Sequence, residues 1–254
     1  MLLAIDIGNT NITLGVFNED KIVHSWRLAT DNKRTEDEYG IFIKNLLREN
    51  KLEDKIKNAV ISSVVVQLTE RLEIAIKKYL NIESLIISHK IKTNIQLKTD
   101  NPSQIGADRI ANAAAAAKLY SAPTIVVDFG TATSFDIVNK DNEFIGGIIT
   151  AGMKIQADAL SNKTSKLPKL NIEAPSNAIG KNTIDAMLSG IVRGHAAMID
   201  GLIEECEKEL NSRAVIIATG GYSSVISKYL KRNFDYINPD LTLIGAKILF
   251  DLNR

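Results

Sequence analysis

Leu3-Ala-Ile-Asp6-Ile7-Gly8-Asn9-Thr10-Asn11-Ile12-Thr13-Leu-Gly15-Val-Phe17 opens the chain, and Ile125-Val-Val-Asp128-Phe-Gly130-Thr131-Ala-Thr133-Ser-Phe-Asp-Ile-Val138 repeats the design near its middle. Each copy is an apolar strand ending in Asp-x-Gly, a short polar turn, and a second alternating strand. A carboxylate at a strand end can hold a metal, directly or through water. The glycine lets a phosphate approach the backbone, and the Asn and Thr groups donate hydrogen bonds to it. One such Asp is equally well explained as the start of a turn. Two copies with the same lead-in favour a clamp for a nucleotide polyphosphate, with Asp6 and Asp128 as its carboxylates.

Strands and helices fall in the same order around both copies. The first hairpin leads to Ile22-Val-His-Ser-Trp26-Arg-Leu28, a third strand, and to a capping box, Thr35-Glu-Asp-Glu38, that opens a helix over Tyr39, Phe42, Ile43, Leu46 and Leu47. Ala59-Val-Ile-Ser-Ser-Val64 reads as a buried strand, Thr69–Leu80 as a helix, Ser84–Ser88 as a short strand, and about 108–120 as a further helix. Ser121-Ala-Pro123 breaks that helix. The second hairpin follows, then a strand around Phe144–Ile149, a short helix around Met153–Leu160, a Lys-rich loop, and a long helix over about 183–210. Ala214–Ala218 is a strand running into Gly220-Gly221, with two more helical segments after it. This order predicts a duplicated α/β unit, cut at 1–121 and 122–254.

Ile184, Leu188, Ile191, His195, Met198, Leu202 and Cys206 recur at helical spacing, so His195 and Cys206 are expected as core or interface residues. Gly190, Gly194 and Gly201 lower the propensity of the same helix by about 1 kcal/mol each, which suits a face where another helix, of this chain or a partner subunit, comes close.

With 254 residues, 45% hydrophobic, 24% charged and a net charge of +1, the chain has the composition of a soluble globular protein. The balanced charge gives no reason to expect nucleic acid or a membrane surface as partner. A single cysteine, Cys206, fits a reducing, cytoplasmic compartment. Asp6 within the first apolar run argues against a signal peptide, and no apolar stretch approaches the ~18 residues of a membrane span.

Ile105-Gly106-Ala107-Asp108-Arg109 leads into an alanine-rich helix. Asp108 can act there simply as a helix cap. It can also be a carboxylate kept ionised by the helix N-terminus and ready to accept a proton from a substrate hydroxyl, with Arg109 offering a planar fork to a carboxylate or phosphate. The alanine run itself points to close packing. Gly180-Lys-Asn-Thr183 resembles the end of a P-loop, but no glycine stands at the first glycine position and no strand feeds it, so that motif is rejected. Asn182 or Thr183 is expected as a helix cap. Gly220-Gly221 lets a flat ring lie against backbone and is a candidate adenine-ribose support.

In this order the motifs resemble the type III pantothenate kinases of the acetate/sugar kinase–Hsp70–actin superfamily, over essentially the whole chain. They are Asp6-x-Gly-Asn-Thr10, Asn101-Pro102 with Gly106-Ala-Asp-Arg109, Val127-Asp-Phe-Gly-Thr131-Ala-Thr133, Gly146-Gly147 with Ala151-Gly152, Gly180-Lys-Asn-Thr183, and Gly220-Gly221. The resemblance implies an α/β fold of two duplicated ribonuclease-H-like (actin-like ATPase) domains with a nucleotide cleft between them. It implies ATP-dependent phosphorylation of pantothenate to 4'-phosphopantothenate, the first step towards coenzyme A, in a homodimer. Carried over by position, Asp6, Ile7, Gly8, Asn9, Thr10, Asn11, Ile12 and Thr13 form the ATP-phosphate hairpin, and Thr131 contacts ATP. Gly106, Ala107, Asp108 and Arg109 line the pantothenate site with Thr183, and Asp108 is the proton acceptor. Asp128 takes a monovalent cation (K⁺ or NH₄⁺), and Asp6 is a candidate for Mg²⁺. The family often has Tyr shortly before Asn-Pro, where this chain has Thr99-Asp100.

Overall fold

The structure is a computed structural model that describes residues 1–254. It divides into two compact units, one of Met1–Asn94, Asp100–Ala115 and Leu241–Arg254, the other of Ile95–Thr99 and Ala116–Asp240.

The first unit opens with three antiparallel strands, β1 (Leu2–Ile7), β2 (Asn11–Asn18) and β3 (Lys21–Ala29). Helix α1 (Glu36–Glu49) follows, then β4 (Asn58–Ser63), α2 (Val66–Leu80) and β5 (Ser84–Ile86). The sheet order is β3-β2-β1-β4-β5, with β4 parallel to β1 and β5 parallel to β4. Alternation sends Leu3, Ile5, Ile7, Ile12, Leu14 and Val16 into one core with Tyr39, Ile43 and Leu47 of α1 and Leu68, Leu72 and Ile76 of α2. The capping box at α1 is present in full: Thr35 Oγ1 accepts from the Glu38 amide (3.3 Å) and Glu38 Oε2 accepts from the Thr35 amide (2.8 Å).

Residues Gln96–Leu97 form β6, which joins the second sheet, and α3 (Ala107–Leu119) carries the alanine run. Ala111 and Ala113 to Ala116 are fully buried, as close packing requires. In the second unit β7 (Thr124–Phe129), β8 (Ala132–Val138) and β9 (Glu143–Ala151) are again antiparallel neighbours. After α4 (Met153–Lys163), α5 (Thr183–Leu188) and α6 (Gly194–Leu210) come β10 (Val215–Thr219), α7 (Ser223–Ile226) and β11 (Tyr236–Ile237). The order β11-β10-β7-β8-β9-β6 repeats the first sheet strand for strand, with β10 and β11 parallel to β7, and adds β6 at one edge. The duplication read from two hairpins therefore extends to both whole sheets.

Helix α8 (Leu241–Asn253) closes the chain and packs with the first unit. A Cβ on Gly15 would lie 2.8 Å from Leu243 Cδ1, a Cβ on Gly245 would overlap the Ala111 backbone, and Thr242 Oγ1 donates to Asn112 Oδ1 at 2.8 Å. The units thus follow packing rather than a single cut. Residues 121 and 122 lie inside the long segment Ala116–Asp240, while the last helix belongs with the residues that open the chain.

The long helix differs from its expected phase. Between α5 and α6, Ser189–Arg193 is one π-helical turn, which absorbs an extra residue. Beyond it the buried face runs through His195, Ala196, Ile199 and Ile203, while Met198, Leu202 and Cys206 flank it half-buried.

Candidate active site

Asp6 stands next to last on β1, opposite Thr13 of β2 and in register with Ser62 of the parallel strand β4. Buried Ser62 donates its hydroxyl to Asp6 Oδ1 at 2.9 Å, which fixes the carboxylate's direction. The turn is tied from behind: the Gly8 amide donates to Asn11 O (2.9 Å), and Thr30 Oγ1 donates to Gly8 O (2.6 Å). Asn9, Thr10 and Asn11 stay exposed at its tip. Ile7 and Ile12 are fully buried in the core, so only their backbone lies at the hairpin surface. A short polar tip on a rigid sheet leaves its exposed amides and side chains open to an anion.

The Gly106–Arg109 turn belongs to the same unit. Val64, whose amide donates to Ile7 O at 3.1 Å, would lie 3.3 Å from a Cβ on Gly106, and that Cβ would also overlap Asp108 Oδ1. The absent side chain at Gly106 is therefore the space that the Asp108 carboxylate occupies. Asn101 holds the approach by accepting from the Ser103 amide (3.2 Å) and the Ser103 hydroxyl (2.6 Å). Asp108 Oδ1 accepts from the Arg109 amide at 2.8 Å. The sequence leads one to expect these groups to favour the ionised carboxylate, and they do, but burial works against them. Burial of the carboxyl is the larger effect and raises its pKa above the ordinary 3.8, with the Arg109 amide and charge opposing it. A carboxylate made more basic by burial is a better proton acceptor than a solvated one.

In the second unit Asp128 stands in register with Ser134 of β8 and buried Thr219 of β10, the counterparts of Thr13 and Ser62. Thr131 is exposed at the tip of a two-residue turn. The backbone at Gly220 (φ +85°) passes so close that a Cβ would lie 2.6 Å from Asp128 Oδ1 and from the Phe129 backbone. This close approach accounts for Gly220 without any ring lying on it. Asn182 caps α5, accepting from the Asp185 amide at 2.9 Å, so Thr183 takes no part in the cap and lies exposed on the first turn. Asp6 and Gly106–Arg109 thus fall in one unit, and Asp128, Thr131 and Thr183 in the other. Ser62 was not singled out from the sequence. Its signal is a hydroxyl at the end of the strand pairing with the Asp strand, repeated by Thr219.

Two sheets of equal strand order, each carrying an Asp-x-Gly hairpin, define a protein of the ribonuclease-H-like, actin-like ATPase class. Solved structures of that architecture align along the chain. A conserved Baf family transcriptional activator from Campylobacter jejuni aligns with TM-score 0.63 at 20% identity, over 98% of this chain and 97% of its own. Component A of (R)-2-hydroxyglutaryl-CoA dehydratase from Acidaminococcus fermentans aligns with TM-score 0.56 at 13% identity, over 100% and 99%. Within the class the sequence is decisive. The family model for type III pantothenate kinase matches residues 2–205, and the type III pantothenate kinase of Bacillus cytotoxicus is 41% identical over 254 residues, 100% of this chain and 97% of that one. The chain belongs to the type III pantothenate kinases.

Proposed function

We propose that Asp108 accepts the proton of pantothenate's primary hydroxyl while that oxygen attacks the γ-phosphorus of ATP in line, the family's reaction and the first step towards coenzyme A. The observation that carries this reading is the half-buried Asp108 carboxyl, with its raised pKa, seated where Gly106 leaves room. A loose phosphoryl-transfer transition state asks little of a base, so orienting the hydroxyl contributes as much as taking its proton. Arg109 faces the substrate's carboxylate or the phosphates, with Gly106, Ala107 and Thr183 lining the pantothenate site. The amides and side chains of Asp6–Thr13, with Thr131, hold the ATP phosphates.

The chain has no group of three or more His, Cys, Asp or Glu that would cage a metal by itself. The oriented Asp6 carboxylate instead fits Mg²⁺ held largely by phosphate oxygens and water, and Asp128 fits a monovalent cation, K⁺ or NH₄⁺. When bound, such cations spread the negative charge of the transferring phosphoryl group. No helix is long and apolar enough to cross a membrane, and a cytoplasmic setting suits the single cysteine. A homodimer is supported by the outward row Ile145, Gly147, Ile149 and Ala151 on β9, and by Gly190, Gly194 and Gly201, where an added Cβ would meet nothing in this chain.

The test is ADP release with and without pantothenate, in K⁺ and again in Na⁺. Asp108→Asn is expected to lower turnover by about 10²–10⁴-fold while ATP still binds, and Na⁺ to support less activity than K⁺. Near-wild-type turnover in Asp108→Asn would remove Asp108 from the mechanism.

A further inference from the structure

His195 lies on α6, fully surrounded by core, yet it is hydrogen-bonded at both ring nitrogens. Nε2 is 3.0 Å from Thr133 Oγ1 on β8, and Nδ1 is 3.0 Å from Gln156 Nε2 on α4. Gln156 Nε2 also donates to Ala151 O at 2.9 Å, so its amide nitrogen faces the ring and Nδ1 is the acceptor. That leaves the Nε2 proton to be donated to Thr133. A buried leucine would fill such a place without any polar group to satisfy, so the histidine's two bonds call for a reason.

Both bonds end beside one turn. Thr133 pairs with Phe129 in the ladder that closes Gly130–Thr131, and the His195 ring meets the Phe129 ring edge-on at 6.3 Å. On the other side Gln156 fixes Ala151, whose neighbour Gly152 donates its amide to Thr131 O at 3.2 Å. Gly152 packs so tightly there that a Cβ would lie 2.7 Å from Gly130 O. The turn is thus gripped by β8 and by the β9–α4 junction, and His195 joins the two grips.

We propose that His195, through Thr133 and Gln156, is a positioning residue that holds the Gly130–Thr131 turn in place for the nucleotide. The inference rests on the reading of Thr131 as an ATP contact. The network needs a neutral ring, because a protonated Nδ1 would set one N–H against another. Burial lowers the His195 pKa to about 4, which keeps the ring neutral at physiological pH.

Four variants test it by steady-state ADP release, with ATP and pantothenate varied separately and folding followed by circular dichroism. His195→Leu and Gln156→Leu are each expected to raise KM for ATP about tenfold, with KM for pantothenate changed less than twofold. His195→Gln, which keeps a donor and an acceptor, is expected to recover most of the loss. Gln156 is half-buried on α4, so its variant decides the matter if His195→Leu does not fold. Folded variants with the wild-type KM for ATP, or with both KM values raised alike, would overturn the role. Thr131→Ala separates the two readings. If it raises KM for ATP while the Gln156 and His195 variants do not, the positioning role alone fails. If it leaves KM for ATP unchanged in an active enzyme, the Thr131 contact fails and the positioning role with it.

Discussion

Asp108 is held by two things that act at atomic range: the gap at Gly106, which its carboxylate fills, and the amide of Arg109. Its raised pKa has a thermodynamic corollary. The folded chain binds this proton more tightly than the unfolded chain, so stability declines as pH rises from the ordinary carboxylate range through the raised value. At neutral pH the ionised group is therefore a cost to the fold, in keeping with its proposed role as proton acceptor. Asp108→Asn is expected to raise Tm at pH 7 while abolishing most turnover, and the gain should vanish near pH 3, where both carboxyls are protonated. Thermal unfolding at the two pH values checks this. The sequence shows an Asp at a helix start but not its environment, because the turn at Gly106 packs beside Val64 from another strand end. The expectation named the amide and the arginine, which do favour the ionised form, and left out the burial that outweighs them.

At the scale of elements, the two hairpins were legible because period-two alternation and an internal repeat are strong signals. The short strands β6 and β11 were not, since two residues display no period. The π turn was hidden too. The apolar spacing runs through it unbroken, and only packing shows that the buried face has moved on by one residue from Met198 and Leu202 to Ile199 and Ile203. Gly220 carries a prediction at this scale, because the β10–α7 turn, the β7 end and Asp128 meet at its missing side chain. Gly220→Ala forces an L-residue to φ +85° and overlaps the β7 end. It should cost upward of about 1–2 kcal/mol in stability and weaken the proposed activation by K⁺. Denaturant unfolding and a K⁺ titration of activity measure the two effects.

For the whole molecule, the proposed dimer is the property that sequence shows least, since it depends on which apolar groups the fold leaves outside. Ile149 is 64% exposed in the middle of β9, a position where a large apolar side chain suits a partner subunit better than water. Ile149→Lys is expected to shift the sedimentation of the protein from dimer to monomer and to reduce turnover at low protein concentration. A single dimeric species in the variant would move the interface elsewhere. The homologous halves were legible, while the return of α8 was not: an apolar C-terminal helix gives no hint of which half it covers. That return bears on how the protein is made. Synthesis is vectorial, and domains generally fold as they emerge. Here β1 to β5 stay without one of their covering helices until α8 is made, whereas the segment Ala116–Asp240 has by then already emerged. The first unit is finished after the second, and a nascent chain stalled before Leu241 would show water an apolar sheet face behind the Asp6–Gly8 hairpin.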